Sequence, residues 1–176
     1  SPVCSPTRAS ILTGKNPARI NLTQFIRGPA GPVQYIKNLP LEEVVFPEVL
    51  KEAGYTNIFL GKWHLNNRQG EGKYWPGNQG FDMNIAGHRR GGLYIPNNYF
   101  SPWDIPNIKN GPDGQYMTDR LAQETVDFID NNADNPFLVY FSFYSVHAPF
   151  SAPEERIEPY RKKRDQLGLT EAQRFG

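Results

Sequence analysis

The chain has 176 residues, enough for one domain with a sizeable core. A formal net charge of +1, with lysine and arginine mostly scattered, argues against a nucleic-acid or polyanion-coating surface. A single cysteine excludes an internal disulfide. No apolar run is long enough to span a membrane, and 16 glycines with 16 prolines predict an ordered, loop-rich protein.

The first seventeen residues, SPVCSPTRASILTGKNP, form the densest arrangement in the chain. A helix is predicted from Cys4, with Pro6 in the first turn, where its missing N–H costs nothing. Cys4 then lies at a helix N-terminus, where unpaired N–H groups and the helix dipole favour an anion. Arg8, four residues on, shares its helix face. Ser10 and Thr13 add hydroxyls, and Gly14 reads as the terminating residue. The chain opens inside this motif with neither an initiator methionine nor a signal-like segment, so residues upstream are expected and export is left open.

Residues 21–41 lack a clear period and carry Gly28-Pro29-Ala30-Gly31-Pro32, which predicts an exposed loop. A helix around 47–53 follows, with Val45, Val49, Leu50 and Ala53 near helical spacing and Gly54 ending it. Tyr55 to Leu60 reads as a buried strand that delivers Gly61-Lys62-Trp63-His64-Leu65. In open α/β sheets the ligand crevice lies at strand carboxyl ends, where Lys62 and His64 fall. Extended chain would point both to one side, a cation beside an imidazole, suited to an anion.

Residues 66–114 are rich in glycine, asparagine and proline, with one short strand predicted after Gly80-Phe81-Asp82 and ending at His88. The aromatic patch Tyr99-Phe100-Ser101-Pro102-Trp103 either binds a sugar face or packs. The clearest helix runs over 116–132, with Met117, Leu121, Thr125, Phe128 and Ile129 in one stripe. A near-continuous apolar strand over 137–144 suits a central position buried on both faces. It places His147 at a second strand end. Residues 153–176 read as a charged, partly helical excursion in which Arg161-Lys162-Lys163-Arg164 is a solvated face or a contact for sulfated polysaccharide.

Cys4-Ser5-Pro6-Thr7-Arg8 with its Leu-Thr-Gly ending resembles the C-x-P-x-R signature of the type I sulfatases. Gly54 to Leu65 resembles their second signature, Gly-Tyr-x-x-x-x-x-Gly-Lys-Trp-His-Leu, and "PFLVYFSFYSVHAPF" resembles their stretch supplying an active-site histidine. The Gly80-Phe81-Asp82 segment is similar to the arylsulfatase A-like group. The resemblance implies an α/β, alkaline-phosphatase-like fold with a mixed, mostly parallel sheet flanked by helices, incomplete in this chain. Residues 1–176 would be part of the N-terminal catalytic domain.

It implies a sulfuric ester hydrolase acting on a sulfated carbohydrate. Cys4 would be converted by a sulfatase-maturing enzyme to formylglycine (3-oxoalanine), the nucleophile and a ligand of calcium or magnesium. Arg8 would orient it, Lys62 would hold sulfate oxygens, and His64 would act as base. His147 would contact sulfate and the leaving oxygen as general acid. His88 is a candidate substrate contact or part of a polar loop, with Arg89 and Arg90 weaker candidates.

The family binds its metal through an upstream Asp-Asp pair and a downstream Asp-Asn pair. Asp82, Asp104, Asp113 and Asp119 stand in other contexts, so the remaining ligands are expected outside this chain, which by itself would be inactive. Export to the periplasm or beyond is typical of the family. The alternatives are a formylglycine-dependent phosphonate or phosphate ester hydrolase and a non-catalytic relic that binds sulfated glycans.

Overall fold

The computed structural model describes residues 1–26, 34–94 and 99–169. Its centre is a three-stranded sheet of β1 (Thr56–Gly61), β2 (Met83–Ile85) and β3 (Phe137–Ser142) in the order β2-β1-β3, with both pairings parallel. The pairing of β1 with β3 runs from Thr56 opposite Phe137 to Gly61 opposite Ser142, so the two carboxyl ends lie side by side.

Alternation along β1 divides the core. Ile58 and Leu60 face a cluster that includes Met117, Leu121 and Phe128 of α3 (Met117–Asn132). Phe59 faces the opposite cluster, with Ala9 and Leu12 of α1 (Cys4–Thr13). β3 alternates in step: Val139 and Phe141 join the α3 side, Leu138 and Tyr140 the α1 side. The result is helix–sheet–helix layering, the α/β class expected. α2 (Phe46–Glu52) begins where the Glu48 carboxylate accepts the Val45 N–H at 3.0 Å.

Helix termini follow the sequence closely. Gly14 and Gly54 adopt φ of 68° and 87° after α1 and α2. Three expectations are corrected. The central strand buried on both faces is β1, whereas β3 flanks it and is mostly half-buried. Within the segment expected as an exposed loop, Leu22, Ile26, Tyr35 and Leu39 are buried, Leu22 and Leu39 within the α1-side core; Gly28 to Pro32 lie outside the described residues. Val49, read as part of the buried face of α2, is 54% exposed, since Val45 and Pro47 make that contact.

The aromatic patch packs: Tyr99 and Trp103 are buried, and the Tyr99 hydroxyl bonds the carbonyls of Tyr144 at 2.9 Å and His147 at 2.8 Å. α4 (Glu154–Gln166) buries no residue. Its basic run is a solvated face, with Arg161 paired to Glu154, Lys162 to Glu158 and Arg164 to Asp165. No helix among the described residues is long and apolar enough to cross a membrane.

Candidate active site

The N-terminus of α1 meets the carboxyl ends of β1 and β3. Cys4 is the first residue of α1, after an extended Val3 that provides no side-chain cap. Pro6 sits in that first turn, as expected. Arg8, one turn further, donates from Nη1 to the Lys62 carbonyl at 2.6 Å and to the Ser142 hydroxyl. Ser142 also donates to the Lys62 carbonyl at 2.9 Å. One guanidinium therefore ties α1 to the adjoining ends of β1 and β3.

His64 does not continue the extended alternation that placed Lys62 and His64 on one side. Its φ is 54°, a left-handed conformation uncommon for a non-glycine residue. Its surroundings hold it there. The backbone N–H bonds the His88 carbonyl at 3.1 Å, and the His64 carbonyl accepts the Ser5 hydroxyl at 2.9 Å. Ser5 in turn accepts the Ile26 N–H at 3.1 Å.

The ring makes two further contacts, Nε2 to the Ile26 carbonyl at 3.1 Å and Nδ1 to Cys4 Sγ at 3.3 Å. A carbonyl only accepts, so Nε2 carries the proton and Nδ1 presents its lone pair to Cys4. Burial, then the charge of Lys62, lowers the His64 pKa to about 4, so the imidazole is neutral near pH 7.

Lys62 is 4% exposed, and its ammonium has no hydrogen bond or ion pair among the described residues. Burial lowers its pKa to about 8, and the nearby charge of Arg8 adds to that shift. Arg8 likewise has no carboxylate partner among the described residues, and its Nε is buried without an acceptor. A buried ammonium and a half-buried guanidinium with no carboxylate beside them among the described residues make a site that an anion would stabilise.

Above Cys4 opens a cavity of about 580 Å³ lined by Cys4, His64, Arg89, Arg90, Tyr94 and His147, among others. His147 follows β3, and its Nδ1–H donates to the Ala148 carbonyl at 2.7 Å, leaving Nε2 as the nitrogen available to a ligand. A second hollow of about 470 Å³ is also lined by Cys4, together with Arg8, Tyr140 and Ser142.

The structure thus brings Cys4, Arg8, Lys62, His64 and His147 together. His88 is not with them. It is 1% exposed and does not line the cavity, with Nδ1 3.1 Å from the Tyr144 hydroxyl. That hydroxyl donates to the Ala86 carbonyl at 2.7 Å, so His88 donates to it. Burial and the charges of Arg90 and Arg89 lower the His88 pKa to about 3. His88 is a neutral core residue here, and the neighbouring Arg89 and Arg90 line the cavity instead.

Sequence reasoning overlooked Ser5, Ser142 and Tyr144, because their roles depend on partners 59, 80 and 58 positions away. No group of three or more His, Cys, Asp or Glu converges among the described residues. These residues do not assemble the six or more oxygens that calcium takes.

A cysteine at a helix N-terminus, two cations without a carboxylate partner among the described residues and two imidazoles at the carboxyl ends of parallel strands form a crevice suited to an anion. The sulfatase family model matches residues 1–174, and the chain belongs to the sulfatase family. It is 32% identical to the N-acetylgalactosamine-6-sulfatase of Canis lupus familiaris over 100% of this chain and 35% of that protein. It is 28% identical to the uncharacterized sulfatase YdeN of Escherichia coli strain K12, over 86% of this chain and 29% of that protein.

Among solved structures it resembles Ps i-CgsB in complex with k-i-k-neocarrahexaose, with 26% identity and a TM-score of 0.68 over 92% of this chain and 38% of that one. It shares the fold of BT4656 in complex with its substrate D-glucosamine-2-N,6-O-disulfate, with 22% identity and a TM-score of 0.63 over 91% of this chain and 28% of that one. The chain therefore spans about a third of the length of the relatives it matches.

Proposed function

We propose that this chain is part of the N-terminal catalytic domain of a sulfuric ester hydrolase that acts on a sulfated carbohydrate through a formylglycine derived from Cys4. The observation that carries the reading is the pairing of buried Lys62 and half-buried Arg8, neither with a carboxylate partner among the described residues, with a residue 4 that faces the lone pair of His64. The relative named N-acetylgalactosamine-6-sulfatase and the solved complex with k-i-k-neocarrahexaose support a sulfated sugar as substrate. A cavity of about 580 Å³ bordered by Arg89, Arg90 and Tyr94 has room for one.

Formylglycine at position 4 would supply a hydrated aldehyde, one hydroxyl attacking sulfur and the other expelling sulfate afterwards. The placement of Cys4 suits that group, since the residue borders both hollows and its Sγ lies 3.3 Å from His64 Nδ1. Lys62 and Arg8 offset the charge that gathers on sulfuryl oxygens as the S–O bond breaks. His64, held as the Nε2–H tautomer, removes a proton at Nδ1 from the hydroxyl on residue 4. His147, half-exposed, protonates the departing alcohol oxygen at the cavity mouth and exchanges its proton with solvent. No cluster of three or more His, Cys, Asp or Glu side chains converges among the described residues, and residue 4 as formylglycine would be this chain's ligand to calcium or magnesium.

The test is the mass of the peptide carrying Cys4 from protein made beside a sulfatase-maturing enzyme, followed by turnover of an aryl sulfate and an aryl phosphonate by the complete protein. Conversion of Cys4 with preference for the sulfate is expected. Preference for the phosphonate would reassign the substrate class. A persistent thiol, with a control sulfatase converted alongside, would turn the reading to a glycan-binding relic.

A further inference from the structure

Gly91 and Gly92 are both buried, and neither has the positive φ that only glycine adopts readily. The backbone alone would accept alanine at either position, so space is what requires glycine. A Cβ on Gly91 would run into the His64 ring, lying 2.6 Å from Nδ1 and 2.9 Å from Nε2. A Cβ on Gly92 would lie 2.7 Å from His147 Nδ1 and 3.1 Å from Tyr94 Cζ. Consecutive glycines thus lie against the two imidazoles of the site, one each.

The segment bearing them is anchored on both flanks. Arg89 pairs with Glu71 at 2.9 Å, and Arg90 donates to the Asp104 carbonyl at 2.7 Å and to its carboxylate at 2.5 Å. Leu93 is buried in the α3-side core. Opposite the ridge, His64 is held by Ile26 and Cys4, so its ring cannot retreat. His147 is fixed less firmly, by the Ala148 carbonyl and the edge of the Tyr94 ring at 5.9 Å.

We propose that Gly91-Gly92 is a positioning ridge that sets the placement of His64 and His147 relative to residue 4, each glycine governing one ring. This rests on the sulfate-ester reading in that the two histidines form the proton-transfer pair. With alanine at 91, the His64 ring must turn and lose the Ile26 bond that fixes its tautomer. With alanine at 92, His147 swings toward the cavity and loses its Ala148 bond. Glycine offers a substrate no side-chain group, so the effect is expected in the proton transfers.

The test compares Gly91→Ala, Gly92→Ala and, as a control, Gly77→Ala, whose Cβ would meet nothing within 4 Å. The ¹⁵N resonances of the imidazoles are recorded in the complete protein, assigned through His64→Asn and His147→Asn. Gly91→Ala should move the His64 resonances away from the Nε2–H pattern and leave those of His147. Gly92→Ala should do the reverse, and the control should move neither. In turnover of an aryl sulfate, kcat should fall about a hundredfold in each glycine variant with KM little changed.

Unmoved resonances in both variants, or both rings displaced together in each, would overturn the proposal. Should Gly91→Ala fail to fold, Gly92→Ala decides through His147, whose half-exposed ring can yield without disturbing the core. The resonances are read without substrate, so a failure of the sulfate-ester reading is distinguishable from a failure of this one.

Discussion

His64 Nδ1 lies 3.3 Å from Cys4 Sγ across sixty positions of sequence, and the contact is held by Ser5, the residue next to Cys4. Ser5 donates to the His64 carbonyl and accepts the N–H of Ile26, whose own carbonyl fixes the other ring nitrogen. Ser5→Ala leaves two buried backbone groups unpaired, so a loss of about 1–3 kcal/mol is expected in urea denaturation. It should lower kcat more than it raises KM, since the strained backbone of His64 loses a restraint. A kcat equal to wild type would show that His64 is held without Ser5.

Lys62 is a cation kept out of water with no partner among the described residues. Lys62→Met keeps the stem volume and removes the charge. The folded protein should gain about 1–2 kcal/mol while affinity for inorganic sulfate, measured as competitive inhibition, is lost. Destabilisation by this substitution would mean that the ammonium has a stabilising anion in the resting protein.

Acid should weaken the fold through its buried histidines. The pKa is about 3 for His88 and about 4 for His64 in the fold, against about 6.5 for an unfolded histidine. The unfolded chain therefore binds more protons below pH 6.5. Stability present above that value is lost as pH falls toward 4 and then 3, by about 1.4 kcal/mol per pH unit for each histidine. Urea denaturation between pH 7 and 5 measures the slope, and His88→Gln should remove about half of it. An unchanged slope in that variant would show that His88 is already protonated in the fold.

Gly61 closes β1 with φ of 95°, and a Cβ there would collide with the carbonyl oxygen of Ser142. That oxygen accepts the Lys62 N–H at 2.8 Å, so the collision would separate the strand ends that carry the site. Gly61→Ala should cost about 3 kcal/mol or more. Gly72→Ala, with φ of 82° and open space around it, isolates the backbone contribution and should cost about 1–2 kcal/mol. Equal losses in the two variants would mean that the contact with Ser142 adds nothing.

Local chemistry was readable from residues near one another in the chain. Pro6 and Gly14 bracket α1 because one lacks an N–H and the other tolerates positive φ, and both effects act within a turn. The apolar runs before Gly61 and Ser142 became paired strands, which put Lys62 and His147 at neighbouring carboxyl ends. It was the resemblance of three short stretches to the sulfatase signatures that grouped Cys4, Arg8, Lys62, His64 and His147 into one expected site.

What lay beyond the sequence depends on contacts between distant segments. The alternation rule failed at His64 because bonds from Ser5, Ile26 and His88 hold it at a φ that local preference disfavours. His88 and the Tyr99 patch look like surface groups in a polar stretch, yet the sheet and α3 bury them. Strand order decided that β1 and not β3 is buried on both faces. The sequence by itself determined the helix ends, the strands and the residue types of the site. Tertiary structure decided which nitrogen of His64 faces Cys4, which histidine stays in the core, and why Gly91 and Gly92 carry no side chains, because each rests on groups far apart in the chain competing for one small space.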